Sequence, residues 1–381
     1  MKRIKGDNLE MTKKLTRRGN FFRIARREGE GQWQTLDFAF SQGAKKTFEK
    51  YAGKGTDPCE YFNFDGRWLG ISPTKRQTPD WKNLYYKNKD LPKGINIDPE
   101  WGIASAYLKD TDDQLSFPPL KEVKTVEEIK NYPWPDIDTD YRWKDVAGKV
   151  EDVKKSDHIA FLGTGVSIFE SAWGIRGFEE FMMDMAEGNG IAESILDKIY
   201  DITIRCAQNV AKSGSDVLQS GSDVATQRGP LMSKKMWRDY LFPIMKDSIK
   251  EAKKIKPDIL VIYHSCGNVM DLVEGFIEAG IDILNPLQPE AMDIFELKRR
   301  YGDVLTFHGG IGVQSVLPFG TPQQVRDITR KTIDIMGKGG GYLCSASHNI
   351  RPETPWENVM AFVETVREYG KPPPLEHKTD D

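Results

Sequence analysis

Short apolar, β-rich runs, each closed by turn-forming residues, recur along the chain. Eight stand out: 33–40, 61–71, 158–165, 216–223, 259–267, 281–288, 304–310 and 341–347. Between the later ones, apolar residues return at helical spacing, as Ile168, Phe169, Trp173, Phe178, Phe181 and Met182 do over 168–186. Further helices are expected over 191–213, 233–254, 268–279, 291–301, 321–337 and 355–369. Ser233 reads as an N-cap, and Thr321-Pro322 and Thr354-Pro355 as caps followed by proline at the first helical position. The alternation predicts an α/β protein, a (β/α)8 TIM barrel. The runs are rich in Val, Ile and Leu without strict alternation, as parallel strands covered on both faces should be.

Residues 72–155 break the rhythm. They are rich in Pro, Asp, Lys and Trp, and read as a large insertion between the second and third strands, with a hairpin around 100–108. Residues 1–370 are expected to form one barrel domain, and 371–381 a disordered tail.

Composition narrows the functional classes. A net charge of −3 over 381 residues gives no reason to expect nucleic acid or an anionic membrane as partner. No 18-residue apolar run is present, so no membrane-spanning helix is expected. The N-terminus is charged and lacks the apolar stretch of a secretory signal, and Asp7 and Glu10 argue against a mitochondrial presequence. The four cysteines, at 59, 206, 266 and 344, fit reduced thiols in a cytoplasmic protein.

The active site of such a barrel lies at the C-terminal ends of its strands. Polar groups gather there. Gln219 and Asp223 end the fourth run, with Gln227 and Arg228 beyond; His264 and Cys266 end the fifth; Asn285 and Gln288 end the sixth; His308 ends the seventh; Cys344 and His348 end the eighth. In extended chain, residues two apart share a side. His264 and Cys266 can therefore face one point, and a catalytic zinc takes three such N or S ligands and keeps one position open. His348 and Cys344 are both candidates for the third. The plainer alternative is a hydrogen-bonded rim histidine beside a small buried cysteine. His308-Gly309-Gly310 reads as a tight turn, and "GKGGG" (337–341) precedes a strand, so it is not a phosphate loop. The aromatics Phe62, Phe64, Trp68, Trp81, Tyr85, Tyr86 and Trp101 read as packing for the insertion or as an entrance for a flat substrate.

The segments "HSCGNV", "GIDILNPLQ", "GGIGVQSVLPFGTPQQV", "GGGYLCSASHNIRPETPWENV", "DVLQSGSDVATQRGPLMSKKMWRDYLFPIMK" and "FESAWGIRGFEEFMMDM" resemble the uroporphyrinogen decarboxylase superfamily over roughly 158–370. That resemblance implies the same barrel and one of two activities, porphyrinogen decarboxylation or cobamide-dependent methyl transfer. The decarboxylases carry an Arg-Gln-Ala-Gly-Arg motif near the first strand. Here the corresponding stretch reads "GQWQTLDFAFSQGAKK", without the guanidinium forks that polycarboxylates need.

The cobamide-dependent methyltransferase branch uses His-x-Cys as zinc ligands. This implies zinc on His264 and Cys266, and a corrinoid carried by a partner protein. Its third ligand is a cysteine that aligns with His348, so His348 by alignment and Cys344 by chemistry remain open. Gly312 stands where many relatives have Asp. Asp223, Gln227, Asn285 and Gln288 are expected to orient substrate or the ligands themselves. The implied substrate is a small methyl donor, such as an O-methyl compound, or a thiol acceptor. A decarboxylase and a non-catalytic tetrapyrrole-binding protein are the alternatives. The decarboxylases of the superfamily also imply a homodimer.

Overall fold

The computed structural model describes residues 16–28, 34–108 and 113–370. The expected tail, and most of the N-terminal stretch read for targeting, lie outside the described residues. Seven parallel strands form one curled sheet: β1 Gly66–Leu69, β2 Ile159–Gly163, β3 Val217–Gly221, β4 Leu260–His264, β5 Ile283–Leu287, β6 Thr306–Ile311 and β7 Tyr342–Ala346. They pair in chain order. The eighth place is taken by residues 37–40, which join β7 and the loop after it through the parallel bridges Asp37↔Ser345 and Phe40↔Ile350. On the other side, the Leu36 N–H donates to Asp65 Oδ2 at the foot of β1 (3.1 Å). The result is the expected barrel, with its first strand reduced to two bridges.

Side chains alternate across each strand. The inward set is Ile159, Phe161, Val217, Leu260, Ile262, Ile283 and Leu343. Phe21, Ile24 and Ala25 from helix Arg17–Ala25 pack against it, so this helix plugs the floor of the barrel. Outward side chains join the larger core beneath the surrounding helices.

Helices occupy every segment where the spacing predicts one, with two breaks and a 3-10 start, Met270–Leu272, ahead of Val273–Ala279. Arg17–Ala25, Gln42–Ala52 and Val146–Lys155 were not predicted. Gly177, at φ 104, divides Ile168–Arg176 from Phe178–Glu187, and Leu241 divides Lys234–Tyr240 from Phe242–Ile255. Ser233 caps its helix through the Met236 N–H, and Thr321 forms a capping box with Gln324. Thr354 is not a cap. Pro355 holds that position ahead of Trp356–Tyr369, and the Thr354 hydroxyl is buried without a partner. Gly309 and Gly310 do have positive φ, 121 and 97, but they belong to β6 rather than to a turn. A Cβ on Gly309 would lie 2.8 Å from the Leu287 nitrogen, so the glycine lets two strands approach.

The insertion carries its own three-stranded antiparallel sheet, Asn96–Ile97, Ala104–Leu108 and Asp113–Phe117, with short helices around it. Trp81, Tyr85 and Tyr132 pack against one another, and Trp101 meets Trp134 edge-on. Those aromatics are the insertion's core. Phe64 and Trp68 instead line the barrel mouth.

Candidate metal centre and active-site mouth

At the end of β4 the inward-facing series continues from Leu260 and Ile262 to His264. The chain then leaves the sheet through Ser265-Cys266-Gly267. Gly267 has φ 89, and a Cβ there would lie 2.6 Å from the Ala225 carbonyl. Only glycine permits this close loop-on-loop contact. The contact is fixed by the Asn268 N–H donating to the Thr226 carbonyl (2.7 Å) and the Gly267 N–H donating to Gln288 Oε1 (2.6 Å). Asp223 Oδ1 accepts the Cys266 N–H (2.8 Å) and lies 3.7 Å from His264 Nε2.

This holds Cys266 Sγ 3.5 Å from His264 Nε2. Zinc bound at about 2.0–2.1 Å to nitrogen and about 2.3 Å to sulfur, at tetrahedral angles, needs N···S separations of about 3.5 Å. His348, on the loop after β7, completes a group in which one ligand atom from each of His264, Cys266 and His348 lies within 4.8 Å of the others. Two imidazoles and a sulfur suit zinc. Cys344 is set apart. Its neighbour Ser345 lines the mouth cavity, whereas Cys344 lies fully buried in the helix-side core.

The imidazole of His264 is held by a directional chain. Asn285 Oδ1 can only accept, so His264 Nδ1 carries the proton in their 2.6 Å contact and Nε2 presents a lone pair. Asn285 Nδ2 donates to His308 Nδ1 (2.5 Å), so His308 Nε2–H donates to Asp37 Oδ1 (2.7 Å). Burial raises the Asp37 pKa, but its contact with the His308 imidazole and a hydrogen bond from Ser345 outweigh it and hold the carboxyl below its ordinary value. Carboxylate, imidazole, amide and imidazole thus fix the tautomer of the candidate ligand.

Burial, then the nearby Asp223 charge, push the Cys266 thiol up to about 12. Without a cation it is a neutral thiol near pH 7. Burial of the inner side of the His348 ring, and the neighbouring His264, lower its pKa.

A cavity of about 500 Å³ opens beneath these residues into the barrel. Phe38, Phe40, Phe64 and Trp68 form one wall, and His264, Asn285, His308 and His348 reach it from the other side. Of the orienting residues expected from sequence, Asp223, Asn285 and Gln288 hold the His-x-Cys segment. Gln227 does not. It is exposed, donates to Gln314 Oε1 (2.5 Å), and lines an outer cavity that Cys266 and His348 also border. Asp37 is absent from the sequence reading, and His308, placed there at the end of the seventh run, is given no role beside His264. Their signal was slight: a lone Asp inside the first apolar run, and a histidine masked by the two glycines after it.

The family model for uroporphyrinogen decarboxylase (URO-D) matches residues 112–369. The chain belongs to the URO-D family. A URO-D relative, the uroporphyrinogen decarboxylase of Rickettsia conorii, is 26% identical over 261 residues, which is 66% of this chain and 71% of that one. The enzyme of the same name from Nostoc punctiforme is 28% identical over 183 residues, 47% of this chain and 48% of its own. A methyltransferase from Methanosarcina mazei has the same fold, with a TM-score of 0.61 over 93% of this chain and 99% of that one at 15% identity. Members of the family are enzymes, and no helix among the described residues is long and apolar enough to cross a membrane.

Proposed function

We propose that this URO-D family member is a zinc-dependent methyltransferase that moves a methyl group between a small substrate, an O-methyl compound or a thiol, and a corrinoid on a partner protein. One observation carries the reading: His264, Cys266 and His348 set two nitrogens and a sulfur within 4.8 Å of one another at the barrel mouth. When bound, zinc would act as a Lewis acid, polarising an ether or alcohol oxygen or lowering the pKa of a thiol.

The chain's own residues do the rest. Asn285, backed by His308 and Asp37, holds the Nε2 lone pair of His264 toward Cys266. Asp223 and Gln288 fix the Cys266-Gly267 backbone. Phe38, Phe64 and Trp68 present apolar surface to the substrate. Substrate size is bounded by the cavity of about 500 Å³.

The names of the relatives favour a second reading, decarboxylation of a porphyrinogen. The cavity wall argues against it. Lys45 is the one cationic side chain lining it among the described residues, where a polycarboxylate needs several guanidinium or ammonium partners. Incubation with uroporphyrinogen and assay for carbon dioxide separates the two. No release is expected, and turnover would displace the methyltransferase reading.

A further inference from the structure

The mouth holds a second, smaller cleft for which metal binding and methyl transfer provide no task. It lies between the ends of β2 and β3, has a volume of about 180 Å³, and shares His264 and Gln219 with the larger cavity, so the two spaces adjoin at these side chains. The first turn of helix Ile168–Arg176 brings Glu170 to it. Glu170 Oε1 accepts the Asp223 N–H and the Ser222 hydroxyl lies against the carboxyl group, whereas Oε2 is buried with no hydrogen-bond partner of its own. Ser220, 4% exposed, also lines the cleft, and its Oγ has no partner either. Neither Lys nor Arg is among the described residues that line it.

Two buried oxygens on residues that line a cavity, one from a carboxyl group, are costly unless a donor meets them. Burial is the main cause that raises the Glu170 pKa, and a neighbouring cation would offset it. Charge-assisted hydrogen bonds are roughly twice as strong as neutral ones, so an N–H-bearing cation complements the cleft better than a hydroxyl does.

We propose that this cleft binds a small alkylammonium group, whose N–H bonds are donated to Glu170 Oε2 and Ser220 Oγ. Its consequence for the substrate rests on the methyl-transfer reading. The ammonium sits on one side of His264 and the methyl-bearing oxygen or sulfur on the other, which makes the substrate a small aminoalkyl methyl ether or thioether, or its thiol. The binding claim itself does not rest on that reading.

The test is titration of the full chain with methylammonium chloride, followed by ligand-observed NMR, beside tetramethylammonium chloride, which has no N–H to donate. Saturable methylammonium binding is expected. It should weaken at least about tenfold in Glu170→Gln, whose amide oxygen still accepts the Asp223 N–H, and about threefold in Ser220→Ala. Tetramethylammonium should not compete, and Cys266→Ala should bind as the parent does. Equal binding in Glu170→Gln, equal binding of tetramethylammonium, no binding to the parent, or loss in Cys266→Ala would each overturn the assignment. A protein that binds methylammonium through Glu170 yet carries no zinc would keep the cleft and remove the transferase.

Discussion

The two ends of the barrel are built from the same strands and do opposite work. At the floor, Val217, Ile262, Ile283 and Leu343 meet Phe21, Ile24 and Ala25 in a dry cluster. Backbone and ionic contacts pin that helix in place. The Gly341 N–H donates to the Ile24 carbonyl (2.9 Å), and the Arg18 guanidinium forks onto Asp216. Two residues further along each strand, on the same inward side, the series becomes Gln219, His264, Asn285 and Ser345, all of which line the mouth cavity. Strand alternation means that one step of two residues exchanges a stabilising surface for a chemical one. Floor substitutions should therefore cost stability and spare the site, and mouth substitutions should do the reverse.

The largest expected effect is at the mouth. Cys266→Ala should lower methyl transfer about 100-fold or more, with thermal unfolding close to the parent, because it removes the sulfur ligand from a loop and not from the core. Kinetics and calorimetry on one preparation check both halves. Next comes the floor. Phe21→Ala should destabilise by about 3–5 kcal/mol in denaturant unfolding and leave metal content unchanged. A fall in metal content in the folded variant would show the two ends to be coupled. Third, His308→Phe tests the chain behind His264. It should weaken zinc about tenfold in a chelator competition, since Asn285 loses the partner that orients it.

The smallest effect is a pH signature of the floor. Burial is the main cause raising Asp65, to about 6, although it accepts the Leu36 N–H and faces Arg17. The folded state therefore holds this proton more tightly than the unfolded chain. The associated stability is present below the ordinary carboxyl pKa and is lost as pH rises through about 4 to 6. Asp65→Asn should flatten that loss by on the order of 1 kcal/mol, measured as unfolding free energy against pH.

The sequence made the regular parts of this fold legible and left the irregular parts obscure, for physical reasons. Buried parallel strands must be apolar runs, so six of the seven ladder strands fall inside expected segments and Thr306–Ile311 overruns its segment by one residue. Helix Arg17–Ala25 is hidden in the sequence because its Phe21, Phe22 and Ile24 sit among arginines, two of which pair with Asp65 and Asp216 only in the folded barrel. The insertion's sheet is held largely by aromatic packing that has no period. At the site, His264 and Cys266 were legible because spacing of two implies a shared side. The pairing of Asp37 with His308 was not, since they meet across 271 residues and only closure of the barrel brings them together. Gln227 looked equivalent to Asn285, yet the turn after β3 carries it outward to Gln314.

The central claim is the metal centre, and its most direct test is metal content by plasma mass spectrometry on protein purified without chelator. Four variants belong beside the parent: His264→Ala, Cys266→Ala, His348→Ala and Cys344→Ala. The account predicts about one zinc per chain in the parent, as a single three-ligand site requires. Zinc should be lost in the first three variants and retained in Cys344→Ala. A parent without metal, or zinc that depends on Cys344 and not on His348, would contradict it.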